Sequence, residues 1–338
     1  MVGELPPAAR DTTRLVALYR AMALNRAFDQ KAVVLQRSGR LGTYASSLGE
    51  EAVGVGVGAA MAADDVLVPS FRDHGAQLLR GVTMTELFLF WSGDERGSDF
   101  AVPREDFPVS IPVGSHAPHA AGVALALKLK GGGRAALCLL GDGATSKGDF
   151  YEAINIAGVW RLPIVFVVAN NQWAISVPRA RQTAAETIAQ KAWAAGFDGV
   201  QVDGNDVIAV FHEAGRALQK ACAGDGPSLI EAFTYRLADH TTADDAARYR
   251  PVDEVKARWA EEPILRLRRH LSETGAWSKA DEDALRAECG AEVEAAEKAY
   301  LETPPQPVSA IFDYLHATLP DDLAAQRAAA IDEADRDG

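Results

Sequence analysis

Apolar side chains recur along this chain at two kinds of spacing, and the alternation between them predicts the secondary structure. Helical spacing is present in several segments, which are residues 12–37, 85–91, 118–130, 149–160 and 207–222. Short apolar runs that predict strands lie at residues 135–140, 164–168, 199–202 and 228–234. Because a helical segment joins the first two runs, they form a βαβ unit and imply parallel strands.

The order of these segments predicts an α/β fold, a doubly wound and mostly parallel sheet with helices on both faces. The predicted parts are an N-terminal helical arm, the α/β domain and a helical C-terminal extension, at residues 1–40, 41–250 and 251–338. In the extension we expect helices at residues 251–274 and 279–302 and a frayed end from residue 320. Residues 236–250 are polar and unpatterned, which predicts a surface loop with few anchors that is mobile without ligand.

Polar residues follow two neighbouring predicted strands, at the sheet edge where open α/β proteins bind ligands. Asp142 follows the first strand and Asn171 the second, 29 positions later, which corresponds to one β-α-β circuit. A carboxylate oxygen, an amide oxygen and a backbone carbonyl suit octahedral Mg²⁺, and such an ion would let Asp142 lie beside a diphosphate. Each residue alone is typical of a helix cap or a turn. Their paired spacing favours the metal site.

For three other motifs the surrounding sequence argues against a functional role. The glycines of GVGVGAAM, at residues 54–61, follow no predicted strand, so close helix packing is favoured over a dinucleotide-binding turn. The stretch GDGATSKG lacks the Lys-Ser or Lys-Thr ending of a P-loop. His116 and His119 lack an identifiable third ligand for zinc, which favours capping or packing.

Composition narrows the class of protein. The 338 residues are 48% hydrophobic and 24% charged, as in ordinary soluble proteins, and a net charge of −13 argues against a nucleic-acid surface. Apolar stretches fall short of the roughly 20 residues that span a bilayer, and Met1–Arg10 lacks the apolar segment of a signal peptide. Cys138, Cys222 and Cys289 are far apart, which excludes a C-x-x-C motif and predicts a reducing compartment, the cytoplasm.

The sequence around the two strand ends resembles a known family. G-D-G followed after about thirty residues by N-N resembles the thiamine diphosphate motif. The stretches GDGATSKGDFYEAINIAGVWRLPIVFVVANNQWAIS, PSFRDHG, VQVDGNDVIAV and TYRLADHTTADDAARYRP are similar to the α subunit of 2-oxo acid dehydrogenase E1 components, and the similarity covers roughly residues 12–315. This resemblance implies the thiamine diphosphate-binding fold and an α2β2 heterotetramer with cofactor sites between the subunits. The α chain would hold the diphosphate and Mg²⁺, and the E1 β subunit the aminopyrimidine ring.

The resemblance also implies a set of cofactor and metal ligands. Asp142, Asn171 and the carbonyl of Trp173 would bind Mg²⁺. The backbone of Gly143 and Ala144 would contact the diphosphate. In these assignments the carboxylate inside the glycine-rich turn is a metal ligand.

Further cofactor contacts come from two other stretches of the resemblance. Arg72 would pair with a phosphate through charge-assisted hydrogen bonds, while Phe71 stands where the family often has Tyr, so a hydroxyl contact is absent. Ile111 and Val113 match the stretch that touches the aminopyrimidine and supports the bent cofactor. Ala169 stands where some relatives have an Arg that contacts a phosphate.

His240 matches the active-site loop histidine of the family and is the best candidate for side-chain catalysis. An imidazole titrates near neutrality, so it can donate a hydrogen bond or a proton where charge develops. Eukaryotic relatives carry regulatory phosphoserines in this loop; with Thr241 and Thr242 as the nearby hydroxyls, we expect no such control. The positions at which some relatives bind K⁺ are occupied by Ser110, Ser115 and His116, with His116 in place of a Gln-like ligand. We therefore assign no K⁺ ion to these residues, and the sequence leaves open whether one binds there.

The reaction implied by the resemblance is decarboxylation of a 2-oxo acid through thiamine diphosphate, followed by acyl transfer to the lipoyl domain of an E2 partner. Pyruvate is favoured because TSKGDFYEAINIAG and DHTTADD resemble bacterial pyruvate enzymes. Branched-chain 2-oxo acids come second, since YRPVDEVKARW and PILRLRRHL also resemble branched-chain enzymes, and acetoin comes third. A non-catalytic scaffold is the alternative of another class, and intact Arg72, Asp142, Asn171 and His240 argue against it.

Overall fold

The computed structural model describes residues 7–102 and 104–337. The strands are β1 (Val66–Val68), β2 (Ala136–Gly141), β3 (Ile164–Asn170), β4 (Trp173–Ala174), β5 (Val177–Pro178), β6 (Gly199–Asp203) and β7 (Ser228–Phe233). Five of them form one sheet in the order β1-β2-β3-β7-β6, and every pair in it is parallel. The remaining two, β4 and β5, form a short antiparallel hairpin. The N-terminal part of the predicted helical arm, residues 1–6, lies outside the described residues.

Helices occupy most of the rest of the chain. The α-helices are α1 (Thr12–Arg37), α2 (Glu51–Ala60), α3 (His74–Leu79), α4 (Met84–Ser92), α5 (His116–Lys130), α6 (Gly148–Val159), α7 (Lys191–Ala194), α8 (Val207–Cys222), α9 (Val252–Arg258), α10 (Pro263–Glu273), α11 (Lys279–Leu301), α12 (Ala310–Asp313) and α13 (Asp321–Asp337). The 3₁₀ turns are Pro7–Arg10, Glu95–Ser98, Asp142–Ser146, Arg179–Arg181, Ala246–Arg248 and Trp259–Glu261. None of the described helices is both long and apolar enough to cross a membrane.

The sheet is buried on both faces by helices. On β2, Leu137 and Leu139 pack in the cluster that includes side chains of α2 and α8, whereas Cys138 and Leu140 pack in the cluster of α5 and α6. Successive side chains of a strand point to opposite faces, so the continuous apolar run is what two covered faces require. The predicted α/β class, with a parallel sheet and helices on both faces, is confirmed.

Glycines in α2 let it pack closely on its neighbours. A Cβ added to Gly56 would lie 2.7 Å from Cγ1 of Val210 in α8, and one added to Gly58 would lie 2.9 Å from Cα of Ala76 in α3. These spaces are too small for any side chain. The predicted close packing of this glycine-rich helix is confirmed.

The C-terminal extension is helical as predicted, with two differences in detail. The helix predicted over residues 251–274 is interrupted, because Pro263 has no N–H and starts a new helix whose first amides are capped by the Glu262 carboxylate. Where the sequence predicts a frayed end, the described residues Asp321–Asp337 form α13.

The chain divides into two compact units, one ending at Glu297 and the other beginning at Lys298. In the first, apolar side chains of α1 such as Leu18 and Met22 pack with Leu267 of α10. In the second, Arg327 of α13 pairs with Asp313 of α12 at 3.2 Å. These units differ from the predicted parts with boundaries at residues 40 and 250, which stay a prediction.

Candidate active site

A cavity of about 310 Å³ lies at the carboxyl ends of β2 and β3. The register of these parallel strands pairs Gly141 with Ala169, so the segments that follow them leave the sheet side by side. Nine of the predicted site residues line this cavity: Phe71, Arg72, Val113, Asp142, Gly143, Ala144, Asn171, Trp173 and His240. The tenth, Ile111, lines an adjoining cavity of about 550 Å³ together with Phe71, Val113 and His240.

Asp142 is a buried carboxylate that forms no ion pair with any residue the structure describes. It begins the 3₁₀ turn after β2, and its Oδ2 accepts a hydrogen bond from Gln182 Nε2 at 2.7 Å. Burial raises the pKa of Asp142 above its ordinary value, opposed by the hydrogen bond from Gln182. A Cβ on Gly143 would lie 2.7 Å from Cβ of Ala174, so glycine keeps the backbone of this turn close to the next segment. A buried anion in this position fits a bound cation.

Asn171 and Trp173 supply the other two oxygens of the predicted metal site. The Asn171 amide is fixed at both ends, since its Nδ2 donates to Glu50 Oε1 at 2.9 Å and its Oδ1 accepts from the Trp173 backbone N–H at 3.1 Å. Gln172, between them, has a left-handed φ of 74°, which turns the chain at this point. The described residues contain no cluster of three or more His, Cys, Asp or Glu side chains that could hold a metal. A metal here would therefore depend on amide and carbonyl oxygens, which is the hard-oxygen set that Mg²⁺ accepts.

Arg72 and His240 are in direct contact beside the metal ligands. Arg72 Nη2 donates to His240 Nδ1 at 2.9 Å and to the His240 carbonyl at 2.5 Å. Because arginine can only donate, Nδ1 is the accepting nitrogen and the neutral ring carries its proton on Nε2. Burial, followed by the charges of Arg72 and Arg236, lowers the pKa of His240 to about 4. The ring is therefore a neutral donor through Nε2 at physiological pH.

The loop of residues 236–250, the active-site loop, is anchored more firmly than its sequence predicts. Thr242 and Tyr44 exchange two hydrogen bonds: the Thr242 N–H donates to the Tyr44 carbonyl at 2.8 Å, and the Tyr44 N–H donates to Thr242 Oγ1 at 3.0 Å. Leu237 and Arg250 are buried, and Arg250 donates to the carbonyl of Ala238 at 2.9 Å. The expectation that few contacts anchor this loop is wrong. Most of the anchoring contacts are hydrogen bonds of polar groups, which the hydrophobic pattern does not record.

Arg236 is a site residue that the sequence interpretation missed. Its side chain is fully buried and donates to the carbonyls of Trp173 and Ile175, at 3.1 and 2.9 Å, and to the Tyr249 hydroxyl at 3.0 Å. Among the described residues it pairs with no carboxylate, and burial, with the repulsion of Arg72, lowers its pKa. The only signal in the sequence is its position four residues before His240.

Glu50 is a second residue that the sequence interpretation missed. It is 5% exposed and lines the cavity, with Oε1 3.9 Å from Arg72 Nε as well as in contact with Asn171. Burial raises its pKa to about 7, against the opposing charge of Arg72. The sequence Glu50-Glu51 does not show which of the two carboxylates faces the cavity, because that depends on the position of the helix that follows, α2.

The residues at the positions where some relatives bind K⁺ make packing contacts and hydrogen bonds with other groups of the chain. His116 is buried and its Nε2 donates to the Leu139 carbonyl at 2.8 Å, which confirms the predicted packing role. Ser110 and Ser115 hydrogen-bond to each other through their hydroxyls at 3.0 Å. His119, the other half of the H-x-x-H pair, is exposed.

The cavity thus combines the Arg72 guanidinium, a neutral imidazole donor and a buried carboxylate at one sheet edge, with Arg236 Nη1 3.5 Å from His240 Nδ1, an arrangement suited to an anion and a divalent cation together. Residues 19–309 match the family model described as dehydrogenase E1 component. The chain is 41% identical to pyruvate dehydrogenase E1 component subunit alpha of Staphylococcus aureus strain Mu50, over 96% of this chain and 87% of that one. The same-named subunits of S. aureus strain MRSA252 and Staphylococcus epidermidis strain RP62A are 40% and 39% identical over the same shares. This chain therefore belongs to the dehydrogenase E1 component family and is similar to its α subunits, as its sequence predicts.

Proposed function

We propose that this chain is the α subunit of a thiamine diphosphate-dependent 2-oxo acid dehydrogenase that acts on pyruvate and passes the acyl group to the lipoyl domain of an E2 partner. The observation that carries the proposal is the meeting of Arg72, Asp142, Asn171 and His240 at one cavity in a chain of this family. The fold is accordingly the thiamine diphosphate-binding fold. Identity of 41% to a pyruvate enzyme supports pyruvate as the substrate.

In this proposal the metal ligands are Asp142, Asn171 and the carbonyl of Trp173. The backbone of Gly143 and Ala144 and the guanidinium of Arg72 bind the diphosphate. When bound, thiamine diphosphate supplies the electron-accepting ring that makes loss of CO₂ from a 2-oxo acid feasible. The buried Asp142 carboxylate then has the cation that no described side chain gives it.

His240 is the proposed catalytic side chain. Arg72 occupies its Nδ1, so the Nε2 proton is the one that remains for the substrate or for the cofactor phosphate. Burial, followed by the charges of Arg72 and Arg236, lowers the pKa of the ring and keeps it neutral. A neutral ring can donate a hydrogen bond to an anion without adding a further positive charge beside Arg72 and Arg236.

The cavity is incomplete on one side, which supports a partner subunit. Ile111 and Val113, beside the opening, are 52% and 45% exposed, although large apolar side chains seldom line an open site without a covering surface. We propose that an E1 β subunit covers them in an α2β2 assembly and contributes the residues for the aminopyrimidine ring. The three cysteines are free, which supports a reducing compartment, and we propose the cytoplasm.

A branched-chain 2-oxo acid is the second candidate substrate, and one observation favours it. The adjoining cavity of about 550 Å³ meets the first at His240 and is lined by apolar side chains, including Phe90, Trp91 and Ile111. Such a lining suits an aliphatic group larger than a methyl.

The test is co-expression with the neighbouring β-subunit gene and measurement of steady-state decarboxylation of pyruvate and of 3-methyl-2-oxobutanoate. We expect turnover by the assembly, a higher kcat/KM for pyruvate, and no turnover by the isolated α chain because the aminopyrimidine side of the site is absent. Comparable turnover by the isolated chain would contradict the α2β2 proposal. Absence of turnover on every 2-oxo acid by an assembly that binds thiamine diphosphate would favour a scaffold.

A further inference from the structure

Glu50 lies at the edge of the cavity but has no place among the proposed cofactor and metal ligands. Its carboxylate is held between two site residues, with Oε1 2.9 Å from Asn171 Nδ2 and 3.9 Å from Arg72 Nε. Glu50 precedes the first residue of α2, whose glycines fix the helix against α3 and α8. The carboxylate is therefore carried by a rigid element.

The contact between Glu50 and Asn171 determines which end of the amide faces which neighbour. Glu50 Oε1 accepts from the NH₂ end of Asn171, which leaves Oδ1 on the side of the Trp173 backbone. With the amide reversed, Nδ2 would face the Trp173 N–H and Oδ1 would face the carboxylate. Both contacts would then be repulsive, and an NH₂ group cannot bind a cation.

We propose that Glu50 is a positioning residue for the divalent cation: it holds the Asn171 amide with its oxygen available to the metal, while Arg72 holds Glu50 from the other side. This inference rests on the proposed function, since it assumes that Asn171 is a metal ligand. Groups that orient metal ligands through hydrogen bonds typically change metal affinity about 10- to 100-fold when they are removed.

The neighbouring Glu51 provides a matched control. Both carboxylates are buried in consecutive residues, but Glu51 faces away from the cavity and pairs with Arg26, while its other oxygen accepts from the Gly49 N–H at 2.9 Å. Loss of the Glu51 charge should reduce the stability of the fold without changing the affinity for metal. Loss of the Glu50 acceptor should weaken metal binding without reducing the stability of the fold.

The experiment uses the α2β2 assembly and measures the Mg²⁺ concentration for half-maximal binding of thiamine diphosphate by isothermal titration calorimetry, with thermal unfolding of the ligand-free assembly in parallel. We expect Glu50→Met to raise this concentration about tenfold or more. Glu50→Gln should stay within about threefold of wild type, because its side-chain oxygen still accepts from Asn171. Glu51→Gln should lower the unfolding temperature and leave the Mg²⁺ requirement unchanged.

Three results would overturn the inference: an unchanged Mg²⁺ requirement in Glu50→Met, no rescue by Glu50→Gln, or an equal shift in Glu51→Gln. Should Glu50→Met fail to assemble, Glu50→Ala, which admits water in place of the carboxylate, is measured in the same way and judged by the same criteria. Failure of the wild-type assembly to bind thiamine diphosphate with Mg²⁺ would instead contradict the proposed function. The two failures are therefore distinguishable.

Discussion

Buried charges are arranged in opposite ways at two places in this molecule. On α1, Arg26 lies between Glu51 and Glu262, with Nη2 3.0 Å from the Glu262 carboxylate. At the cavity Asp142 is also buried, as is Arg236 next to His240, yet within the described part of the chain neither forms an ion pair. The charges of the first group are paired with one another, and those of the second are not.

The difference distinguishes buried charges that stabilise the fold from buried charges that a ligand would neutralise. A buried charge without a counter-charge is strongly unfavourable, so it persists only where something else neutralises it. The Arg26 cluster meets this condition with its own side chains. The cavity meets it if a divalent cation lies against Asp142 and phosphates lie near the guanidinium groups, as the proposed function requires.

The largest expected effect would break the first arrangement. Arg26→Met leaves Glu51 and Glu262 buried without their cation, and removal of one partner from a buried ion pair costs about 3–5 kcal/mol. We expect a loss of this size in the free energy of unfolding, measured by denaturant titration. Turnover per folded assembly should be unchanged, and a loss below about 1 kcal/mol would show that the cluster is not held by its charges.

The next effect would break the second arrangement. Asp142→Ala removes the proposed anionic metal ligand, and we expect thiamine diphosphate to bind at least about 100-fold more weakly in the presence of Mg²⁺, or about 2.7 kcal/mol. Calorimetric titration measures this loss. Because an unpaired buried carboxylate is removed, the unfolding temperature without ligand should not fall. Unchanged affinity would mean that the loop at Asp142 is only a turn.

A smaller effect is expected at His240, which lies between the guanidinium groups. His240→Ala removes one donor, and we expect acylation of the lipoyl domain to slow about tenfold, or about 1.4 kcal/mol, with a smaller change in cofactor affinity. Single-turnover acylation of a purified lipoyl domain measures the first quantity, and calorimetry the second. Normal acylation would remove His240 from the catalytic residues.

The smallest effect concerns pH. The pKa of His240 is lowered to about 4 in the folded chain from an ordinary 6.5, so between these values the unfolded chain binds more protons. His240 therefore contributes stability that is present above pH 6.5 and is lost as the pH falls towards 4. Because the ring is only half-buried, we expect about 1 kcal/mol. His240→Asn should flatten the decline in unfolding free energy over this range, and an identical decline in both proteins would contradict the assignment.

Most of the fold could be predicted because its strongest signals are local. The run at residues 164–168 and the helix before it need no knowledge of distant contacts to be identified, and β3 and α6 lie within two residues of the predicted bounds. The pattern missed β1, since three residues, Val66–Val68, give no period to measure. It also missed the break at Pro263, although a proline predicts one.

The site was predictable where its residues follow identifiable strands and not where they depend on contacts with one another. Asp142 and Asn171 follow strands that the pattern identifies, and their spacing is a sequence signal. Arg236 and Glu50 act through hydrogen bonds to groups that are 63 and 121 positions away, and no local pattern records such distances. The balance of charges at the cavity can be determined only from these contacts.

The strand order has a consequence for the growing chain during synthesis. The first site residue, Glu50, leaves the ribosome long before β7 can take its place beside β3 and bring Arg236 and His240 to the cavity. Parallel pairing between segments so far apart closes late, because the entropy of long loops must be overcome before the contacts form. Until about three quarters of the chain has emerged, Arg236 and His240 are absent from the cavity, so the proposed cofactor site is incomplete. Thiamine diphosphate should therefore capture finished subunits and cannot guide their early folding.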